Sequence, residues 1–149
     1  MQGIGRAHPR RTGGSVSSGS GRTELPAPPP LHELEAEVME VIWERGETSV
    51  RDVMQELNAD AAKERAYTTY MTIMARLDGK GMLERRRQGK TDLYTPVYAR
   101  DTYTDLRARA ELEAVVNQYG EVALTHIARQ MAALDPQRRR ALQRLARGK

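Results

Sequence analysis

The 149-residue chain contains no cysteine, no phenylalanine and only one tryptophan. Because cysteine is absent, a disulfide scaffold, a cysteine-ligated zinc or iron–sulfur site and a thiol nucleophile are all excluded. No apolar run approaches the roughly 20 residues that span a bilayer, and the first residues lack the apolar centre of a secretory signal. These absences predict a cytoplasmic protein. The chain length predicts one domain, or one small domain and an accessory segment.

Residues that perform catalysis or bind metals are also scarce. The histidines stand far apart, without the spacing of metal ligands, at His8, His32 and His126. The sequence contains no P-loop, no dinucleotide-binding fingerprint and no nucleophile elbow. We therefore expect a protein that is not an enzyme and that holds no metal or cofactor.

The formal net charge of +4 hides blocks of opposite sign. Residues 31–58 carry eight acidic side chains against two arginines, whereas residues 59–100 carry nine lysines and arginines against five acids. An acidic block beside a basic one favours a molecule with one face for a polyanion. Solvated helix faces would produce the same charge pattern, so charge alone leaves both interpretations open.

Residues 1–30 are rich in glycine, serine and proline and end in Pro26-Ala27-Pro28-Pro29-Pro30. Almost nothing in this segment can enter a core, and we predict a disordered tail.

Apolar residues then recur at helical spacing in three segments, at about residues 31–45, 50–57 and 66–80. Gly46 ends the first helix, Thr48 or Ser49 caps the second, residues 58–60 form a turn, and Gly79 and Gly81 end the third. The predicted inward residues are Leu31, Leu34, Val38, Val41 and Ile42 in the first helix, Val50, Val53, Met54 and Leu57 in the second, and Tyr70, Ile73, Met74 and Leu77 in the third. Glu33, Glu37, Glu40 and Glu44 form the outer face of the first helix, and Trp43 is expected to pack at its end.

Residues 82–97 contain two stretches typical of β-strands, with Gly89 between them, and this pattern predicts a β-hairpin. Pro96 either keeps the second strand at an edge or marks its end. Three helices followed by a hairpin predict a mainly α fold with a small β-hairpin, namely a winged helix-turn-helix over residues 31–98.

Residues 101–149 are predicted to form further helices. Gly120 closes the first of them, and Asp135 with Pro136 starts the last. Such short helices cannot close a core alone, so they either fold back on the first module or interlock two chains in a dimerisation region. The apolar residues predicted for dimerisation are Leu112, Val115, Val116, Tyr119, Ile127, Met131, Leu134, Leu142 and Leu145.

The third helix carries threonine at positions 68, 69 and 72, on the face opposite its buried stripe. Threonine is a poor choice for an exposed helical surface, but its hydroxyl and methyl groups suit base edges and thymine methyls in a major groove. Arg76 lies one turn further and can reach a phosphate or a guanine. The alternative is a merely tolerated polar face, and we favour base readout.

Basic residues surround this helix in sequence, from Lys63 to Lys90. In the hairpin, Arg85 and Arg87 point one way and Arg86 the other, so a wing can use only one set, together with Lys90. Such contacts position a protein on DNA without reading sequence. The predicted DNA-binding residues are Arg65, Tyr67, Thr68, Thr69, Thr72, Arg76, Arg86 and Lys90.

Three segments resemble the penicillinase-repressor family of winged-helix regulators, the BlaI/MecI group with the CopY repressors. They are LHELEAEVMEVIWERGETSVRDVMQEL at 31–57, AYTTYMTIMARLDGKGML at 66–83 and LYTPV at 93–97. The resemblance implies a homodimeric transcriptional repressor on a palindromic operator. It also implies an inducing signal, which is a membrane sensor protease in the β-lactam branch and metal binding by a C-terminal cysteine motif in the copper branch.

This chain departs from both branches. It has no cysteine for the copper motif and no phenylalanine for the Asn–Phe cleavage dipeptide. Ala66 replaces the family's helix-capping serine, and Asp92 stands where many relatives have a less charged residue. We therefore expect DNA binding to carry over and the inducing signal not to. The rival functions are a winged-helix module that binds protein and an architectural DNA binder without a preferred palindrome.

Overall fold

The computed structural model describes residues 27–60, 62 and 64–148. Their elements are α1 (Glu33–Arg45), β1 (Thr48–Ser49), α2 (Val50–Ala59), α3 (Tyr67–Gly79), β2 (Leu83–Gln88), β3 (Thr91–Pro96), α4 (Arg100–Tyr119), α5 (Glu121–Ala133) and α6 (Pro136–Arg147). The order of α1 to β3 is that of a winged helix, which confirms the predicted fold class. None of the helices in these ranges is both long and apolar enough to cross a membrane.

The core lies between α1, α2, α3 and the small sheet. The stripe predicted for α3 is buried in full, and Tyr70, Met74 and Leu77 are inaccessible to solvent. Helix α1 contributes Val38, Val41 and Ile42, as predicted, while Leu31 and Leu34 pack half-buried against this core. Burying these side chains supplies most of the stability of the module.

The sheet contains a strand that the sequence did not reveal. Thr48 and Ser49 form β1, which pairs antiparallel with Tyr94 and Leu93 of β3. The strand order is β1-β3-β2. Strand β3 is therefore central, and of the two interpretations of Pro96 the edge strand is wrong, whereas the strand end is confirmed. Ser49 rather than Thr48 caps α2, because its Oγ accepts from Asp52 N at 3.2 Å.

The three C-terminal helices begin and end near the predicted residues. Gly120 separates α4 from α5 with φ of 61°, in the left-handed region that favours glycine. Asp135 caps α6 by accepting a hydrogen bond from Arg138 N at 2.8 Å, and Pro136 is the first helical residue. These turn signals in the sequence were sufficient to divide the region into helices.

The last residues of the predicted tail are packed. Pro28 is buried, and the carbonyl oxygens of Pro28 and Pro29 accept hydrogen bonds from Arg107 and Tyr103 of α4. The prediction of disorder over residues 1–30 is therefore wrong for these two prolines. Their carbonyl groups are not paired within a helix or strand and instead accept hydrogen bonds from side chains of α4. Residues 1–26 lie outside the described residues.

Candidate nucleic-acid interface

Asn58 fixes the turn that leads into α3. Its Oδ1 accepts from Arg65 N at 3.1 Å and from Tyr70 Oη at 2.7 Å, and its Nδ2 donates to Arg65 O at 2.9 Å. One amide thus ties the end of α2 to the start of α3. Helix α2 runs through Ala59, so the predicted turn at residues 58–60 begins later than expected. The sequence marked Asn58 only as a turn residue, and its bridging role was missed.

The surface of α3 opposite the core is open. Thr68, Thr72 and Arg76, spaced one turn apart, are all exposed, while Thr69 is half-buried. Ala66 is the N-cap of α3 and provides no side-chain hydrogen bond to the first turn, because alanine has no side-chain acceptor. The helix therefore presents a polar ridge that an extended polyanion can approach.

Tyr67 and Met71 form a second exposed row on α3, next to the hairpin. Their exposed fractions are 43% for Tyr67 and 44% for Met71. With Lys90 at the hairpin turn they line a groove of about 380 Å³. Tyr67 was predicted as a site residue, but Met71 was not, because an apolar residue in a helix is first assigned to the core.

The hairpin arginines alternate between faces, as predicted. Arg85 lies opposite Tyr94 in the register and 4.0 Å from Asp78 of α3. Arg87 shares that face and contacts Asp92 at 3.2 Å. The face next to α3 therefore carries Arg85 and Arg87.

Arg86 lies on the other face, where two of its nitrogens donate to Glu47 at 2.8 Å. Hydrogen bonding to this guanidinium lowers the pKa of Glu47, and the same contact raises the pKa of Arg86. This placement argues against the DNA contact predicted for Arg86, because strand alternation turns it away from α3.

A nearly buried ion pair holds the C-terminal end of α3. Lys80 Nζ donates to both carboxylate oxygens of Glu35, at 2.9 and 3.0 Å, and Glu35 is 1% exposed. Burial raises the pKa of Glu35, but hydrogen bonds from His32 N–H and from Lys80 outweigh it, so the pKa stands below its ordinary value. Together with Asn58, this pair braces α3 at both ends.

Of the remaining predicted residues, Arg65 lies just before α3, and the outer glutamates and Trp43 lie on α1. Arg65 is half-buried at the entrance to the helix, and Lys63 lies outside the described residues. The four outer glutamates of α1 are all exposed, on the side of α1 away from its buried stripe. Trp43 is half-buried at the end of α1 and packs on Tyr103, with ring centroids 5.5 Å apart, as predicted for a residue that closes the helix end.

A braced helix with an exposed polar ridge, flanked by a basic hairpin, defines a DNA-binding protein of the winged-helix class. Residues 31–147 match the family model described as penicillinase repressor. The chain therefore belongs to the penicillinase repressor family, whose members are transcriptional repressors. The match confirms the resemblance of the three segments and also includes the C-terminal helices.

Two curated relatives agree with this assignment. The chain is 34% identical over 121 residues to the transcriptional regulator BlaI of Mycobacterium tuberculosis, which covers 79% of this chain and 86% of that protein. It is 28% identical over 89 residues to the penicillinase repressor of Bacillus licheniformis, covering 60% of this chain and 68% of the relative. A solution structure of the DNA-binding domain of the repressor BlaI is similar with a TM-score of 0.45 and 29% identity, over 53% of this chain and 94% of that one.

Proposed function

We propose that this protein represses transcription as a homodimer that binds a palindromic operator, with α3 of each chain in a major groove. The observation that carries this proposal is the exposed ridge of Thr68, Thr72 and Arg76 on a helix braced at both ends. Base readout requires side chains held in a fixed register against the groove. The two braces supply that rigidity.

Within this proposal, the ridge reads base edges. Threonine hydroxyls donate to or accept from bases, threonine methyls contact thymine methyls, and an arginine forms paired hydrogen bonds with guanine. Thr69 is half-buried and contributes at the side of the ridge. Arg65 and Tyr67, at the entrance to α3, flank the ridge and contact the adjacent sugar-phosphate backbone of the DNA.

The wing binds phosphate through Lys90. This residue is exposed at the hairpin turn, and no ion pair in the described part of the chain involves it. Arg85 and Arg87 lie on the same side as α3, but Asp78 and Asp92 neutralise part of their charge. Lys90 is therefore the strongest candidate of the wing for a phosphate contact.

Dimerisation is assigned to residues 101–149 because their apolar residues are uncovered. In α4–α6, all of whose residues the structure describes, Ala123 is the one buried side chain. Leu112 is 52% exposed, Tyr119 57% and Leu145 75%. A second copy of the chain would cover these stripes and create the two-fold axis that a palindrome mirrors. Val115, Val116, Ile127, Met131, Leu134 and Leu142 complete the proposed interface.

Sequencing of DNA fragments retained by the purified full-length chain tests this function. We expect an inverted repeat whose half-sites lie about one helical turn apart, or a multiple of it. Retained fragments without a common sequence would instead indicate an architectural DNA binder. A chain that retains no duplex DNA, even at low salt, would be a protein-binding module, and the proposed function would be wrong.

A further inference from the structure

The first turn of helix α4 contacts the winged-helix module through the end of α1. Arg100 forms an ion pair with Glu40 and lies 5.6 Å from the centre of the Trp43 ring. Tyr103 packs on the same ring, and Trp43 Nε1 donates to Tyr98 O at 2.8 Å. A helix held at one end can pivot there, so these contacts alone leave the direction of α4 open.

Residues 27–30 supply a second anchor further along α4. Tyr103 Oη donates to Pro29 O at 3.0 Å, and Arg107 donates to Pro28 O at 3.1 Å. Pro28 is buried, and the Arg107 side chain is 19% exposed, against 52% for Arg109 on the same helix. The segment therefore spans from the start of α1 to the second turn of α4.

Proline suits this role. Each proline ring fixes φ and restricts the residue before it to extended conformations, so the segment loses little entropy when it docks. A proline nitrogen has no hydrogen to donate, but its carbonyl accepts, and both observed bonds use carbonyls. The sequence of consecutive prolines is thus preorganised as a short strap.

We infer that residues 27–30, through Tyr103 and Arg107, fix the direction of α4 and thereby determine which half-site spacing the repressor accepts. Given the proposed dimer on an operator, on which this inference rests, α4 connects each module to the two-fold axis. Tyr119 lies about 24 Å beyond Tyr103 along α4, so a swing of about 8° moves it by about 3.4 Å, the rise of one base pair. A fixed α4 therefore discriminates operators that differ by a single base pair in spacing.

Two truncations of the full chain test the strap directly. Removal of residues 1–26 keeps the strap, whereas removal of residues 1–30 deletes it, and both remove the same four arginines of the N-terminal segment. Affinity is measured for a series of duplexes whose half-sites are separated by the selected spacing and by one base pair more or less. The shorter truncation controls for the lost charge.

Point variants separate the two bonds. Tyr103→Phe removes the hydroxyl and keeps the ring on Trp43, and Arg107→Ala removes the bond to Pro28. Because Arg107 also pairs with Glu111, Glu111→Gln is its control, and Arg109→Ala controls for loss of a positive charge on α4. Affinity for a single half-site shows whether the winged-helix module of each variant is folded and binds DNA.

The intact chain, the 1–26 truncation and both control variants are expected to lose about tenfold or more in affinity when the spacing changes by one base pair, comparable to a mismatched pair. The 1–30 truncation and the Tyr103→Phe, Arg107→Ala double variant are expected to lose about twofold or less, with half-site affinity retained. If all variants show the same dependence of affinity on spacing, the role inferred for residues 27–30 is wrong, but the proposed repressor function is unaffected. An intact chain that binds no palindrome would overturn both.

Discussion

Threonine at positions 68 and 72 shares the exposed ridge of α3 with Arg76, and each threonine offers one hydroxyl and one methyl. If Thr72 contacts a base edge, Thr72→Ala weakens operator binding by about 1–3 kcal/mol and barely changes binding to random duplex. We expect Thr69→Ala, at a half-buried position, to act in the same direction.

Thr104→Ala is the matched control, since Thr104 is also exposed but lies on α4. Titrations of operator and random duplex at one salt concentration provide the comparison. An equal loss on both DNAs would contradict base readout at position 72.

Glu35 links stability to pH. Its pKa is lowered in the folded chain, so its stabilising contribution is present above the ordinary pKa of about 4.3 and is lost as pH falls through the folded value. Glu35→Gln keeps the size but removes the charge, and we expect it to reduce the free energy of unfolding at pH 7 by about 1–3 kcal/mol.

Urea unfolding at pH 7 and pH 3 measures this effect, with Glu33→Gln, an exposed position on the same helix, as control. The difference between Glu35→Gln and the unchanged chain should shrink at pH 3, because Glu35 of the unfolded chain is then protonated and part of the advantage of its charged form in the folded chain is lost. A difference of the same size at both pH values would show that the ion pair with Lys80 does not stabilise the fold.

Individual residues were predictable where a local pattern determined their environment. The buried stripe of α3 followed from its helical period. Glu35 and Lys80 are 45 positions apart, and no local rule predicts that a glutamate in an acidic helix is buried. Asn58 and Pro28 were missed for the same reason, since their partners lie on other elements and only the tertiary fold brings them together.

At the scale of elements, the hairpin divides its charges between two faces. Lys90→Ala should reduce the slope of log affinity against log salt by about 0.9 if it removes one phosphate contact. Arg86→Ala should leave that slope unchanged, because Arg86 is bound to Glu47 on the other face. Sequence preference should persist in both variants.

Binding isotherms on operator DNA over a range of salt concentrations measure the two slopes. A reduced slope for Arg86→Ala with an unchanged slope for Lys90→Ala would restore the original prediction for Arg86 and refute the assignment of Lys90. Equal slopes for the unchanged chain and both variants would mean that neither Lys90 nor Arg86 contacts phosphate and that the hairpin has only a structural role.

Elements with enough residues to show a period were predicted, and those below that length were not. Helices α1 to α3 and the hairpin carried clear signals in apolar spacing and glycine positions. Strand β1 has two residues, too few to show an alternation of apolar and polar residues. Its pairing with β3 places β3 at the centre of the sheet. Because β1 was missed, the sequence could not decide between the two interpretations of Pro96.

For the whole molecule, the uncovered face of α4 predicts self-association. Leu112→Asp places a charge in the apolar stripe, and we expect it to raise the dissociation constant of the dimer by about tenfold or more. Ala114→Asp introduces the same residue on the opposite side of α4 at an exposed position and should leave the dimer unchanged. Sedimentation velocity over a concentration series gives both constants, and equal effects of the two variants would exclude this stripe from the interface.

The direct test of the dimeric repressor is sedimentation of the full-length chain alone and with a duplex that carries the selected operator. We predict a dimer at micromolar concentration and two chains bound per palindromic duplex, with weaker binding of one chain to a duplex that carries one half-site. A chain that is monomeric at micromolar concentration and still binds the operator with undiminished affinity, one chain per duplex, would contradict the proposed mechanism.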